Sequence, residues 1–230
     1  MAKNIDSVRQ RILQTAKQLI LRQGYRKTTI RQIVQESGIT SGSIYHLFPN
    51  KDKIFWVLVQ EILSRTVQMV TDNFAQETPE FRYAAILEVE LTAIARSAAI
   101  QEIYYESYTQ PDTFEQVVER SLNLQREILP ARFVAGDEIT RHGQVLLLRG
   151  AMFGYIMSFE LERTIDPTHT RLAILQLALQ QLGLQAEESS RLAQRLEDMQ
   201  ERWFAIAQAI LNAAFDAEPG AAASPHEGRP

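Results

Sequence analysis

Apolar residues recur at three-and-four spacing along almost the whole chain. Val8, Ile12, Ala16, Leu19 and Ile20 fall on one side of a helix over 7–23. Ser7 with Gln10 has the form of a capping box, and Gly24 ends the run. Two short helices follow, over 29–36 and 40–47. Asn50 is placed to cap a longer helix over 51–75. Thr78-Pro79 opens another, to 97, with proline at the first helical position where no N–H is needed. Further helices are predicted at 99–109, at 112–129 behind Pro111-Asp112, at 138–164 behind Asp137, at 167–182 between Asp166-Pro167 and Gly183, and at 187–216. No segment alternates as a strand hairpin would. The chain therefore reads as all-α. The pattern ends in "AEPGAAASPHEGRP", a Pro/Gly-rich tail expected to be disordered.

The stretch 28–48, "TTIRQIVQESGITSGSIYHLF", is the most specific. Two helices of about eight residues around a glycine turn make a helix-turn-helix. Ile33, Ile39, Ile44 and Leu47 can meet as one small core while Gly38 takes the turn. The second helix then presents Ser41, Ser43, Tyr45 and His46 outward. Small side chains at its start permit close approach to a groove wall, and larger polar ones reach phosphates or base edges. The partner expected is the major groove of double-stranded DNA.

Charge sharpens this expectation. The chain is formally −4, yet residues 1–53 hold ten Lys and Arg against three acids, or +7. The remainder holds fourteen Arg against 25 acids, or −11, and every lysine precedes residue 54. A basic head on an acidic body fits local contact with nucleic acid. The 230 residues allow one large domain or two smaller ones. The division expected is a DNA-binding domain at 1–53, a larger helical domain at 54–216, and the tail at 217–230, with the 51–75 helix joining the first two.

Residues 9–56 resemble the DNA-binding domain of the tetracycline-repressor-like (TetR/AcrR) family of bacterial transcription regulators. The matching features are "ILQTAKQLI…GY", Thr28-Thr29 before "IRQI", the Gly38-Ile39 turn, "YHLF" and Lys51. The resemblance implies phosphate contacts at Thr29, Thr40, Tyr45 and Lys51. It implies base or adjacent phosphate contacts at Arg31, Ser41, Ser43 and His46, with Tyr25 and Phe48 in the core. Val34 departs from the alanine common at the helix crossing, and Ser41 from a frequent lysine. The resemblance further implies a homodimer on a palindromic operator, a small-molecule effector in the larger domain, and a cytoplasmic location. The role this resemblance implies is a repressor released by that effector. An activator, a ligand-independent regulator, or a helical protein-binding scaffold are the alternatives.

Within the larger domain, Glu90 and Arg149 each sit among apolar helical neighbours. A buried charge needs a partner. Either the two pair or reach water, or one faces an effector cavity. Tyr104, Tyr105, Tyr108, Phe114, Met152 and Phe153 are candidate walls of such a pocket. Gly150, Gly154 and Ser158 form a small-residue stripe, and Leu192, Leu196, Met199, Trp203, Ile206, Ala207 and Ile210 an apolar one. The helices bearing these two stripes are expected to form the dimer interface.

Other chemistry finds little support. The chain has no cysteine, no Gly-rich phosphate loop and four scattered histidines, so no enzyme, metal site or cofactor is expected. The N-terminus lacks an unbroken apolar stretch, so no signal peptide is expected. The apolar run 145–161 contains Arg149 and is expected to be a core or interface helix, with no membrane partner.

Overall fold

The computed structural model describes residues 2–130, 138–161 and 166–215, with side chains described from 5 and up to 210 in the two end helices. Among them the chain forms eleven helices: α1 (Ala2–Gln23), α2 (Ile30–Ser37), α3 (Ser41–Leu47), α4 (Lys51–Asn73), α5 (Pro79–Arg96), α6 (Ala98–Thr109), α7 (Pro111–Ile128), α8 (Glu138–Glu160), α9 (Pro167–Gln181), α10 (Ala186–Glu197) and α11 (Gln200–Phe215).

Side-chain caps set most of the starts. Thr29, Thr40, Asn50, Thr78 and Ser97 each accept a hydrogen bond from the backbone N–H three residues on, and Asp166 accepts from Thr168 and His169. Thr29 and Gln32 form a reciprocal capping box.

The core runs unbroken from Ile12, Leu19, Ile33 and Ile44 to Leu87, Leu91 and Trp203. α5 is its axis. From Tyr83 to Thr92 every residue is buried, against α4, α6, α7, α9, α10 and α11. α4 packs on α1 at one side and on α5 and α11 at the other, so it joins head to body as predicted.

Most boundaries shift by a residue or two from the sequence reading, and three of the differences are informative. α1 begins at Ala2, so Ser7 lies inside it and no capping box with Gln10 starts the helix. α7 begins at Pro111, which places Asp112 in its first turn. The predicted helix 187–216 is two helices. At the break, the Leu196 carbonyl accepts from Met199 N at 3.0 Å and from the indole N–H of buried Trp203 at 2.6 Å. The indole thus satisfies a carbonyl that a continuing helix would give to Gln200, and it seats the ring against Phe74 and Phe81. Apolar spacing stays in phase across this turn, so periodicity does not reveal it. Asp137, the extension of α8 over 162–164 and the tail lie outside the described residues. Among the described residues no helix is long and apolar enough to cross a membrane.

Candidate DNA interface and effector cavity

The candidate interface is built on α2, α3 and the turn between them. Gly38 takes φ +66°, a left-handed conformation natural to glycine, and its N–H donates to the Val34 carbonyl at 3.0 Å. That turn lets Ile33 and Ile44, both fully buried, meet Ile12 of α1. Tyr25 and Phe48 are buried in the same cluster. Ser41, Ser43, Tyr45 and His46 face outward, and Tyr45 is 53% exposed. Thr29, Arg31 and Thr40 are exposed as well. Thr40 Oγ1 accepts from Ser43 N at 3.3 Å and lies 3.0 Å from Ser43 Oγ, which fixes the start of α3.

Lys51 lies apart from this outward group. Its Nζ donates to the Tyr25 carbonyl at 3.1 Å and stands 3.8 Å from the Tyr25 ring centroid. Burial lowers its pKa, against the pull of Asp52, Glu106 and Glu102. The Tyr25 hydroxyl in turn donates to Asp52. The first turn of α4 is thereby tied to the turn between α1 and α2.

That turn is also held by the body. Glu102 on α6 accepts from Tyr25 N at 2.9 Å and Arg26 N at 2.8 Å. Gly24 takes φ +84°, and a Cβ there would collide with the Glu102 carboxylate. The Arg26 guanidinium bonds Glu106 at 2.8 Å, reaches Glu160 at 3.4 Å and lies over the Tyr105 ring at 4.7 Å. Tyr105, predicted as a cavity wall, therefore belongs to this joint.

The other side of α6 lines a cavity of about 20 Å³. Tyr104, Ser107 and Tyr108 come from α6, Glu90 from α5, Arg149 from α8, and Val117, Arg120, Ser121 and Leu124 from α7. Val59, Leu63 and Val67 of α4 complete it. Arg149 is 4% exposed and forms the polar centre. Its Nε donates to Ser121 Oγ at 2.8 Å, and its Nη1 to Glu90 Oε2 and Tyr108 Oη, each at 3.2 Å. Burial opposes the charge on Arg149, yet Tyr108, Glu90 and Tyr83 around it hold its pKa above the usual range. Burial pushes the Glu90 carboxyl up from its ordinary 4.5, against the guanidinium. The two alternatives for this pair thus coincide: Glu90 and Arg149 bond each other and both line the cavity. Met152, Phe153 and Phe114 stand behind it. Met152 Sδ lies 3.0 Å from Arg149 Nη1, and the Phe153 and Phe114 rings pack on Tyr108. A second small space, on the other side of Glu90 and Tyr104, is walled by Ile62, Thr66, Val89 and Ile210.

The model of the bacterial regulatory proteins of the tetR family matches residues 12–56. Residues 12–56 thus carry the helix-turn-helix of that family. Its head is 55% identical over 42 residues to an uncharacterized HTH-type transcriptional regulator, YxaF, of Bacillus subtilis, which covers 18% of this chain and 22% of that protein. It is 34% identical over 65 residues to the transcriptional repressor AcnR of Corynebacterium efficiens, covering 28% and 35%. The chain thus spans only about a fifth to a third of the length of these relatives. Among solved structures, the crystal structure of RolR with the ligand resorcinol has a similar fold, with a TM-score of 0.61 at 17% identity over 85% of this chain and 97% of that one. The match to regulatory proteins agrees with the expectation that the chain is not an enzyme.

The helix-turn-helix head is legible from sequence and the body less so. Ser107, Arg120 and Ser121 were missed as cavity residues. Ser121 and Arg120 interrupt the apolar stripe Val117, Val118, Leu122 and Leu124 of α7, and that interruption is the signal that could have found them.

Proposed function

We propose that the chain is a dimeric repressor that binds a palindromic operator and is released by a small molecule entering the Arg149 cavity. In this reading residues 1–53 are the DNA-binding domain, 54–216 bind effector and partner, and the protein works in the cytoplasm. Tyr45 positions the head on phosphates with Thr29 and Thr40, and Lys51, half-buried and held by the Tyr25 carbonyl, has further N–H donors to offer a phosphate. Arg31, Ser41, Ser43 and His46 face bases or adjacent phosphates.

One observation carries the reading: α6 has the cavity on one side and the head on the other. Tyr104, Ser107 and Tyr108 line the cavity, while Glu102 and Glu106 hold Tyr25 and Arg26. A ligand needs more room than the cavity has, since about 10–15 Å³ accommodates a single water. Entry must displace Tyr104 or Tyr108, and displacement of Tyr104 joins the two spaces beside it. Any shift of α6 then moves the clasp on the α1–α2 turn and changes the spacing of two heads on DNA, a population shift between states of different operator affinity.

The walls select the effector. Aliphatic and tyrosyl surfaces surround one polar centre of Arg149, Glu90 and Ser121, which suits a small, flat molecule bearing a hydroxyl or anionic group. RolR, of similar fold, has resorcinol as its ligand.

For the dimer, α8 supplies the face. Ile139, Leu146, Leu147 and Leu161 are exposed there, and the glycines at 143, 150 and 154 leave open space above the backbone. Ser158 points inward instead, with its hydroxyl donating to the Tyr155 carbonyl. The apolar side of α11, expected at the interface, is engaged inside the chain through Trp203, Ile206, Ala207 and Ile210.

The test is operator release. With an operator obtained by selection, fluorescence anisotropy should fall when resorcinol or a related phenol is added to the wild type. Arg149→Met should bind the operator and ignore the ligand. Release that persists in Arg149→Met would place the effector elsewhere; the absence of any ligand response would favour a ligand-independent regulator.

A further inference from the structure

The basic head divides into two sets of cations once its side chains are placed. Lys17 is buried against Glu61 at 2.8 Å, Arg22 meets Glu36 at 2.5 Å, and Arg26 is held by Glu106 at 2.8 Å. Lys51 lies on the carbonyl and ring of Tyr25. These four charges are engaged within the chain. Arg9, Arg11, Lys27, Arg31 and Lys53 are exposed, and among the described residues none has a carboxylate at salt-bridge distance.

Arg9 and Arg11 are singled out by where they reach. At 3.6 residues per turn they lie on opposite sides of the Val8–Ile12 stripe that packs α1 on the core. The Arg9 guanidinium stands 5.4 Å from the ring centroid of Phe48, the residue that closes α3. Arg11 reaches the other end: its Nη2 lies 3.3 Å from where a Cβ on Gly38 would stand. The two guanidinium groups therefore bracket α3. Seven helical residues span about 10 Å, close to the major-groove width of about 12 Å.

We propose that Arg9 and Arg11 are phosphate contacts, one at each end of α3, and that α1 thereby supplies charge to the DNA interface. The inference rests on the DNA-binding reading above. A planar guanidinium matches a phosphate with two parallel N–H donors. The Phe48 face steadies Arg9 by a cation–π contact, and the missing Cβ at Gly38 leaves Arg11 room. Such contacts orient α3 without reading sequence.

The salt dependence of binding tests this, and it needs no operator. The full chain is titrated onto a mixed-sequence duplex over a series of KCl concentrations. Wild type is compared with Arg9→Gln, Arg11→Gln, the double variant, and Arg191→Gln on α10 as a distant control. Each single substitution should flatten the slope of log affinity against log salt by about 0.9 per subunit, and the double by about twice that. Arg191→Gln should leave the slope alone, and Arg9→Lys with Arg11→Lys should restore most of it. Thermal melts of each variant separate lost contacts from lost fold. A double Gln variant that melts like wild type and keeps the wild-type slope overturns the proposal while DNA binding stands. A wild type with no salt-dependent duplex affinity overturns the DNA-binding reading itself. If the Gln variants do not fold, a Lys pair with a slope as flat as that of a charge deletion would also contradict it.

Discussion

At the residue scale the account turns on Arg149. Its guanidinium is buried with Glu90 at 3.2 Å, so removing it strands a carboxylate away from water. Arg149→Met should cost about 3–5 kcal/mol in denaturant unfolding, and adding Glu90→Gln should recover most of the loss. Equal stability of Arg149→Met and wild type would mean that the pair contributes little. The pH dependence has a defined sign. Burial raises the Glu90 pKa above 4.5, so the folded state holds the proton more tightly than the unfolded chain does. The stability contributed is full below 4.5 and is lost as pH rises through the raised value. Glu90→Gln should therefore lose less melting temperature than wild type as pH rises from 4.5 to neutrality; parallel curves would contradict the shift. Both residues were legible in the sequence because a lone charge between apolar neighbours on a helix is conspicuous. Their pairing was not, since which two helices face each other is a tertiary fact. Tyr105 misled for the same reason. It looks like Tyr104 and Tyr108 in "IYYESY" but lies across α6 from them, against Arg26.

At the element scale, α6 is the joint between cavity and head. Gly24→Ala combines a positive φ of 84° with a clash against the Glu102 carboxylate. It should destabilise by about 1 kcal/mol or more and loosen the clasp. Thermal melts read the first effect, and a smaller ligand-induced change in operator affinity reads the second. A variant with normal stability and full response would separate the clasp from signalling. The helix starts were readable because capping is local: Thr29, Thr40, Asn50, Thr78 and Asp166 each act within a few residues of sequence. The break between α10 and α11 was not, because it depends on the Trp203 indole reaching back to the Leu196 carbonyl. That contact leaves no trace in the apolar spacing.

At the scale of the whole molecule, the proposed pairing of two copies on one duplex rests on the basic head and the exposed face of α8. Leu147 is 67% exposed on that face. Leu147→Glu should shift sedimentation from dimer to monomer with the melt little changed, and a variant that stays dimeric would move the interface off α8. The head was the more legible half. A helix-turn-helix is written in some twenty consecutive residues, whereas the cavity draws on four helices besides α6. The most direct measurement of the central claim is selection of bound duplexes from a random pool by the full chain. The account predicts enrichment of a palindrome whose half-sites lie about one helical turn apart, roughly 34–36 Å, or a multiple of it. A pool that stays unenriched at low salt, or that yields only single asymmetric sites bound by a monomer, would contradict it.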